Sequence, residues 1–516
     1  TAYRPTGSLD VQRTINHNET NSDLLIGINK DLGQDFSIGV TLGGNILKMQ
    51  QKVVDVNANG FAFPFLYNPG TAATNSASVS EPQKEIQSLY GSVELGFREM
   101  LYLNVTDRND WSSTLPTGSN SYNYPSVNLS YVFSEMLNLP WMDLGKIRAG
   151  YARVGGDADV FSTSLYYGTL GAAINGQALG NVDNNVPNPN IEPLQVTEIE
   201  FGAAFQLLGN RLFTDFAFYN KQTLNDIVPV GISRASGYQN AVVNVGQIEN
   251  KGFEFLLGGV PVAAGDFRWT STFNYTINNN KVIELAEGQE ILPAGESRTG
   301  RAFVQHIVGE PFAQVVAYDY MRDDGGNLIL TPTGLPQAAA EPTAQGTGVH
   351  PITGGWSNDL NYKNVTLSFL IDFKYGAVIY SGTNSLAYSN GLHKETLEGR
   401  SEGIQMSGVD VDGNPINTTV TAQNYYGAVS NISMEQVYDA DFIKFRSLSL
   451  TYQFPKVGKM RNLSLSLVGR NLFYISKATP NIDPESNYNN SNGFQGLEYL
   501  GLPTTRSFGL NLSAKF

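Results

Sequence analysis

The carboxylates of Asp107 and Asp110 are the first side chains in this sequence that could do chemistry. They belong to the run Asp-Arg-Asn-Asp-Trp that ends at Trp111, and a glycosidase needs two carboxylates as its acid and its nucleophile. Asp107 and Asp110 are three residues apart in a segment that alternates like a strand, so their side chains point to opposite faces. We therefore expect a network of charges ending at a rim aromatic residue, not a catalytic pair.

A second group of oxygen-bearing side chains surrounds Gly325–Gly326 and could bind Ca²⁺. Calcium loops place their ligands over twelve positions and close with a glutamate, and this segment lacks that pattern. A tight Asp-Gly turn is the interpretation that we favour. Asp410–Asn414 carries the same two interpretations. The candidate calcium ligands are Asp319, Asp323, Asp324 and Asn327.

The sequence contains no other pattern that is typical of an enzyme. Its histidines are too scattered to share a metal ion, and it has neither a Gly-x-Ser-x-Gly nucleophile motif nor a phosphate-binding P-loop. We therefore predict that the chain is not an enzyme and that it needs no cofactor and no metal ion. The four histidines are His17, His306, His350 and His393.

Two pairs of adjacent tyrosines are the best candidates for contact with a ligand. Tyr166–Tyr167 and Tyr425–Tyr426 fall within long predicted loops, where the face of a sugar could stack on a ring. The alternative is that these rings pack the loops together, or pack them onto a partner protein. We carry the four tyrosines forward as candidate substrate-binding residues.

The elements that must position these side chains are β-strands. Alternation of apolar and polar residues recurs from end to end, which is the pattern of a strand with two different faces. In Thr504–Phe516, for example, Phe508, Leu510 and Leu512 share one face, while serine, glycine and asparagine occupy the other. The pattern predicts about fifteen or sixteen antiparallel strands, many of them long enough to cross a bilayer when tilted.

The connections between these strands alternate between short and long. Outer-membrane barrels have short periplasmic turns and longer extracellular loops, whereas a soluble sandwich has no reason to sort its loops in this way. The fold class we predict is therefore all-β, a transmembrane antiparallel barrel. The predicted long extracellular loops are Leu47–Lys84, Gly156–Pro193, Lys281–Thr353, Gly376–Ala440 and Ser476–Pro503.

Composition excludes several other classes of protein. No run of about eighteen apolar residues is present, so a helical membrane span is excluded. The formal net charge of −14 argues against a nucleic-acid partner, which would require a basic surface. Cysteine is absent, so there is neither a disulfide framework nor a thiolate metal site.

An ordered series of motifs resembles the barrel of SusC/RagA-type TonB-dependent transporters. The series runs from about Ile86 to the end of the chain and includes a Tyr-Leu-Asn-Val-Thr-Asp-Arg-Asn-Asp-Trp stretch and an Asn-Ile-Asp-Pro-Glu stretch. Each motif alone is weak, but their order is specific to the family. The segments are Tyr102–Pro116, Tyr124–Phe133, Lys146–Gly155, Pro187–Phe201, Asn244–Glu254, Ala440–Pro455, Leu467–Lys477, Asn481–Glu485 and Pro503–Phe516.

The resemblance implies a 22-stranded barrel that is closed by a plug. It also implies active import of glycan fragments or peptides, energised through TonB, with a SusD-like surface lipoprotein acting as the lid. Pairs of transporter–lipoprotein units are common in the family, so a dimer of such pairs is expected. The lipid bilayer and lipopolysaccharide are the expected surroundings. Phe516, at the end of the last strand, looks like the signal read by the barrel-assembly machinery.

Compared with that family, residues 1–516 correspond to the C-terminal portion of the barrel. The plug, the segment that contacts TonB and roughly the first third of the strands are missing. An open sheet would leave unsatisfied hydrogen-bonding groups in lipid, so we expect an upstream part in the same chain or in a separate one.

Two other functions remain open from the sequence. A passive porin-like channel would have a similar number of strands, and it would conduct ions without a plug. A soluble surface protein that binds or cleaves glycans would be extracted without detergent, and its loops would not be sorted by length.

Overall fold

The computed structural model describes residues 8–63, 66–137, 139–174, 177–286, 288–455, 461–489 and 491–515. Within these ranges the chain is mostly β-strand, which confirms the predicted all-β class. None of the helices described there has both the length and the apolar character that a membrane span requires. Phe516, the expected assembly signal, lies outside the described residues.

Fifteen principal strands follow one another along the described chain, close to the number that the alternation predicts. They are β1 (Ser8–Leu32), β2 (Phe36–Phe61), β3 (Gln83–Phe97), β4 (Leu101–Ser112), β5 (Ser126–Val132), β6 (Met142–Gly156), β7 (Leu194–Leu207), β8 (Leu212–Gly231), β9 (Asn240–Ala264), β10 (Phe267–Glu284), β11 (Ile352–Tyr362), β12 (Val365–Tyr375), β13 (Phe442–Gln453), β14 (Arg461–Lys477) and β15 (Ser507–Lys515).

Shorter elements occupy the connections between the principal strands. The α-helices are α1 (Ser134–Leu137), α2 (Gly382–Ser389) and α3 (Ala422–Val429). The 3₁₀ helices are Pro69–Thr71, Arg234–Ser236, Lys394–Leu397, Ser433–Gln436 and Asn492–Phe494. The short strands are Ala72–Ser80, Ser121–Asn123, Tyr167–Ile174, Gln177–Val182, Asn185–Val186, Ile291–Glu296, Ala302–Ile307, Gln314–Ala317, Thr343–Thr347, Val378–Ser381, Ile404–Val409, Pro415–Val420, Val437–Asp439 and Leu497–Glu498.

The chain divides into two compact units, and strands β5 to β9 contribute residues to both. The first unit comprises Thr1–Tyr131, Ala149–Ile199 and Gln222–Gln247. The second comprises Val132–Arg148, Glu200–Lys221 and Ile248–Phe516.

In the first unit, consecutive strands pair in an antiparallel series. Strand β1 pairs with β2, β2 with β3, β3 with β4, and β4 with β5. Leu32 faces Phe36 across the first turn, and Phe97 faces Leu101 across the turn from β3 to β4. Turns this short keep sequential strands adjacent, as an up-and-down topology requires.

The structure corrects the loop that the sequence predicts at Leu47–Lys84. Strand β2 continues to Phe61, and the short strand Ala72–Ser80 pairs back onto it. This extension is mostly polar, and cross-strand contacts hold it, such as the bond of 2.7 Å from Arg13 Nε to Asp55 Oδ1. The prediction failed here because it looked for apolar residues on one face, and polar cross-strand pairs also stabilise a ladder.

In the second unit, β10 to β15 form another antiparallel series, each strand paired with the next. Three long connections of the chain lie in this unit and contain folded structure of their own. Residues 285–351 include a four-stranded sheet, and residues 376–441 include α2 and α3. A buried cluster around Tyr380 joins them to Leu497 of the third connection, 478–506.

One face of this second series carries a row of aromatic rings. Trp356, Phe369, Phe445 and Phe473 come from β11, β12, β13 and β14, and the centroids of neighbouring rings are 5.9, 5.9 and 5.2 Å apart. Phe473 and Trp356 are exposed. Phe369 and Phe445 are half-buried, and an aromatic row of this kind across four strands is typical of the interfacial girdle of a membrane barrel.

A second row of exposed side chains crosses the same face nearer the short turns. It contains Tyr362 and Tyr452, and both flank Val365 in the strand register. Phe445 and Tyr452 pair with Ile371 and Val365, which are six residues apart because the register shifts at Arg446. The two rows are therefore about 20 Å apart along the strand, somewhat less than the height of roughly 25 Å of the apolar band of such barrels. Leu448, Leu450 and Leu467 lie between the rows and are exposed.

Candidate functional site

Tyr166 and Tyr167 lie in the connection between β6 and β7, where the sequence predicts contact with a ligand. Tyr167 begins a short strand that pairs with Gln177–Val182, and its side chain is 70% exposed. The side chain of Tyr166 is 43% exposed, and its hydroxyl donates to the carboxylate of Asp183. Both rings are therefore accessible to a molecule outside the protein.

Tyr166 is part of the wall of a cavity of about 330 Å³ in the first unit. The wall combines aromatic and aliphatic side chains with four carboxylates, and its residues come from the connection 157–193, the end of β8 and the start of β9. A cavity of this size can hold a small ligand or one residue of a larger one. The carboxylates are those of Asp157, Asp159, Asp183 and Asp226.

Two of these carboxylates are held by hydrogen bonds from neighbouring groups. Asp157 accepts a hydrogen bond of 2.7 Å from Lys84 Nζ and another of 2.6 Å from Ser112 Oγ. Asp183 accepts from Tyr166, and this hydrogen bond, with burial and the nearby negative charge, raises the pKa of the phenol. The phenol therefore stays protonated at neutral pH and acts as a donor.

The wall of the cavity rests on a small apolar core. Leu115, Ala158 and Ile191 are buried together in the first unit, and Ile227 and Val242 pack against them. Ala158, Ile227 and Val242 also line the cavity. The cavity is therefore attached to a packed core, which keeps its shape before a ligand arrives.

Tyr425 and Tyr426, the second candidate pair, lie in a different environment from Tyr166 and Tyr167. Both lie on α3, and Tyr426 is only 7% exposed in a cluster with Tyr388 and Val429. Tyr425 is half-buried against the same cluster. Burial raises the pKa of both phenols. The two rings pack within the loop and belong to the apolar face that α3 buries. Their contact with a substrate stays a prediction.

Asp323 and Asn327 form a turn in the structure. Asp323 Oδ1 accepts from the backbone nitrogen of Asn327 at 2.8 Å, and Asp410 accepts in the same way from Asn414. Hydrogen bonds from the side-chain amides of the same two asparagines, together with these backbone hydrogen bonds, lower the pKa of Asp323 and of Asp410. Asp319 accepts from the backbone nitrogen of Tyr320. In the part of the chain that is described, no three His, Cys, Asp or Glu side chains group closely enough to hold a metal ion.

A charged cluster on the polar face of the second unit was missed by the sequence analysis. Arg446 Nη2 lies 2.6 Å from Asp372 Oδ2 and 2.8 Å from Glu485 Oε1, and Lys444 Nζ lies 2.8 Å from Glu485 Oε2. Lys444 is 1% exposed. A signal was available, because Lys444 and Arg446 flank Phe445 on β13, and the neighbours of a residue in a strand point to the face opposite to it.

The charged cluster attaches the connection 478–506 to the strands. Burial alone would raise the pKa of Glu485, but the hydrogen bonds from Arg446 and Lys444 outweigh burial, so this pKa lies below its ordinary value. Thr504, at the other end of the connection, accepts from Lys444 at 2.8 Å and donates to Asp483 at 2.7 Å. Both ends of the connection are thus held at one place.

Comparison with known proteins agrees with this architecture. The sequence model of the family described as TonB dependent receptor-like, beta-barrel, matches residues 1–472. TonB-dependent receptor P3 of Formosa agariphila is 24% identical over 97% of this chain and 52% of its own length. The TonB-dependent receptor SusC of Bacteroides thetaiotaomicron is 24% identical over 64% of this chain and 32% of its own length.

Solved structures share the fold at lower sequence identity. The RagAB peptide transporter superposes with a TM-score of 0.77 at 15% identity, over 97% of this chain and 55% of the other. The outer-membrane transporter YddB from Escherichia coli superposes with a TM-score of 0.53 at 11% identity, over 98% of this chain and 55% of the other. Both of these proteins are described as transporters, and the TM-scores show that they share the fold of this chain.

The chain spans about half the length of the curated relatives that it matches. The resemblance to SusC and RagA that the motifs indicate is confirmed. Because the family match covers most of the sequence, this chain belongs to the family of TonB-dependent receptor β-barrels of the outer membrane.

Proposed function

We propose that this chain forms the barrel of an energised importer that takes large nutrients across the outer membrane. The cargo is an oligosaccharide or a peptide, and the energy is delivered through TonB. The observation that carries the proposal is the family match over residues 1–472. The names of two similar proteins, SusC and the RagAB peptide transporter, support it.

A surface lipoprotein of the SusD type completes the importer in this proposal. It acts as a lid over the outer connections, and two transporter–lipoprotein pairs form a dimer. The folded character of the connections supports a role in docking, because loops with their own buried cores present a fixed surface. Long loops that carry structure are usually functional.

The cavity beside Tyr166 is the place in this chain where we propose that the cargo is contacted. Its size, its accessible rings and its carboxylates match a ligand site with a few polar groups. Tyr167 extends the aromatic surface beside it. Replacing Tyr166 and Tyr167 together by alanine lowers cargo affinity in this proposal, whereas Tyr67→Ala, at another exposed tyrosine of the same unit, leaves it unchanged.

Two measurements on the native protein test the proposal. Detergent extraction from outer membranes, followed by mass spectrometry, is expected to recover a SusD-like lipoprotein with the chain. Uptake of labelled cargo by cells is expected to stop when TonB is deleted. Steady open-pore current through the intact protein in a planar bilayer would instead support a passive porin-like channel, and uptake that continues without TonB would contradict the energised mechanism.

A further inference from the structure

We infer that the cavity beside Tyr166 binds a positively charged group of the cargo, an alkylammonium or a guanidinium group. The inference rests on the proposed import function and names a chemical class for the cargo. It is supported by the charge of the cavity wall, the spacing of the carboxylates, the aromatic side chains and the packing around the cavity.

The wall of the cavity is negatively charged. Four aspartates line it, and no lysine or arginine does so among the described residues. Lys84, next to the cavity, neutralises Asp157 at 2.7 Å. The other three, Asp159, Asp183 and Asp226, form no ion pair within the described part of the chain. Asp183 accepts a hydrogen bond from the hydroxyl of Tyr166, and Asp226 accepts one from the backbone nitrogen of Ile227. Three carboxylates without a counter-charge favour a cationic ligand.

The spacing of the carboxylates favours an organic cation over a metal ion. A bound Ca²⁺ needs six to eight oxygen atoms at about 2.3–2.6 Å, which requires the carboxylates to converge on one point. They do not converge, since no three acidic side chains in the described ranges are close enough together to share a metal ion. A volume of about 330 Å³ instead suits a group with several carbon atoms.

Besides the carboxylates, the cavity wall offers aromatic rings that can attract a cation. The centroids of Phe161 and Tyr166 are 5.2 Å apart at the cavity wall. A cation that lies over a ring face within about 6 Å is attracted by the π electrons. Tyr166 is held by its hydrogen bond to Asp183, so ring and carboxylate face the cavity together.

The cavity keeps its form without a ligand. Asp157 is fixed by Lys84 and Ser112, and Ala158 next to it is buried in the apolar core. A preformed site loses less entropy when the ligand binds. The cationic group can therefore be captured from solvent without reorganisation of the loop.

Calorimetry on the native complex, purified in detergent, tests the inference with two matched pairs of probes. The first pair is tetralysine and the same peptide with acetylated side chains and amino terminus. The second pair is a glucosamine tetramer and its N-acetylated form. At least one cationic probe is expected to bind about tenfold tighter than its acetylated partner, and high salt should weaken it. Preference for tetralysine would identify a peptide, and preference for glucosamine would identify an amino sugar.

The double variant Asp159→Asn, Asp226→Asn locates the binding. Neither side chain donates to or accepts from another side chain within the described residues, so the isosteric amides leave the fold intact. The variant is expected to lose about tenfold in affinity for the cationic probe. Asp324→Asn removes one charge from an exposed turn in the second unit and serves as the control.

Equal binding of free and acetylated probes, no binding of either cation, or native affinity in the double variant would each overturn the inference. TonB-dependent uptake of cargo would still stand in those cases, so the import proposal is judged separately. If uptake also proves independent of TonB, both fall.

Discussion

Gly252 is a position where one added methyl group should disturb the strands. A Cβ atom there would lie 2.3 Å from Cζ of Tyr219 and 2.6 Å from the carbonyl oxygen of Ile277. The ring can turn away, but a paired strand carbonyl cannot. We expect Gly252→Ala to destabilise the barrel by about 1–3 kcal/mol. The measurement is the temperature at which the folded protein loses its compact migration on a detergent gel.

Gly509→Ala is the matched control for Gly252→Ala. Gly509 also lies in a strand, but nothing is within 4 Å of the position that its Cβ would take. The same methyl group should therefore leave the transition temperature unchanged. An equal decrease of the transition temperature in the two variants would mean that the close approach at Gly252 does not cause the destabilisation.

Glu485 pairs with three cations, Lys444 and Arg446 at 2.8 Å and Lys374 at 4.0 Å, which makes it the most sensitive member of the charged cluster. Glu485→Gln removes the charge that Lys444, 1% exposed, is paired with. An unpaired buried charge costs about 3–5 kcal/mol. We expect faster hydrogen exchange throughout residues 478–506 in this variant, measured by mass spectrometry.

Asp266→Asn is the control for the charged cluster. Asp266 pairs with Lys363 at 3.7 Å, and both side chains are more than half exposed. Exposed pairs contribute little to stability because water screens them. Exchange in residues 478–506 should match the native protein, and a similar acceleration in both variants would argue against a specific role of Glu485.

The candidate tyrosines show how far single residues can be predicted from sequence. Both pairs looked alike, as adjacent aromatic residues in long loops. The structure separates them, because Tyr166 lines a cavity while Tyr426 fills the core of a loop. The difference depends on which distant segments fold against each pair, such as the segment of Ile227 beside the cavity. The sequence around each pair does not predict these tertiary contacts.

Strands were predictable where one face is apolar and the other polar. The segment Thr504–Phe516 is an example, because the structure has a strand at Ser507–Lys515 within it. The extension of β2 to Phe61 was missed because polar cross-strand pairs hold it. The cavity could not be predicted at all, since its carboxylates come from segments up to about seventy residues apart.

The four-stranded sheet in residues 285–351 should weaken in acid because it contains a buried neutral histidine. Burial lowers the pKa of His306 to about 4 from its ordinary 6.5. Between these values the unfolded segment binds a proton and the folded one does not, so stability falls as pH falls from 6.5 to 4. The full loss is roughly 3 kcal/mol. Limited proteolysis at neutral pH and at about pH 5 should show faster cleavage of this sheet in acid.

His306→Gln removes the titration and keeps an acceptor for the backbone nitrogen of Ala313, which now donates to Nδ1 at 3.2 Å. Cleavage of the variant should depend less on pH than cleavage of the native protein. An unchanged pH dependence would assign the acid sensitivity to other groups.

At the scale of the whole molecule, the two aromatic rows of the second unit mark where the two edges of the bilayer meet the strands. Phe445 belongs to one row and Tyr452 to the other, with exposed leucines between them on the same face. The opposite face carries Asp372, Lys444 and Arg446. An apolar outer band with polar residues behind it is what a strand needs when lipid lies on one side only.

Depth in this band determines the cost of a charge on the lipid-facing side. Leu448 lies between the two rows, and Tyr452 marks the lower one. An arginine near the middle of the bilayer costs about 2–4 kcal/mol, and near the interface about 0–1 kcal/mol. Leu448→Arg should therefore reduce the folded fraction in outer membranes far more than Tyr452→Arg, only four residues away. Equal effects would mean that the rows do not mark the edges of the bilayer, and that this face is covered by something other than lipid.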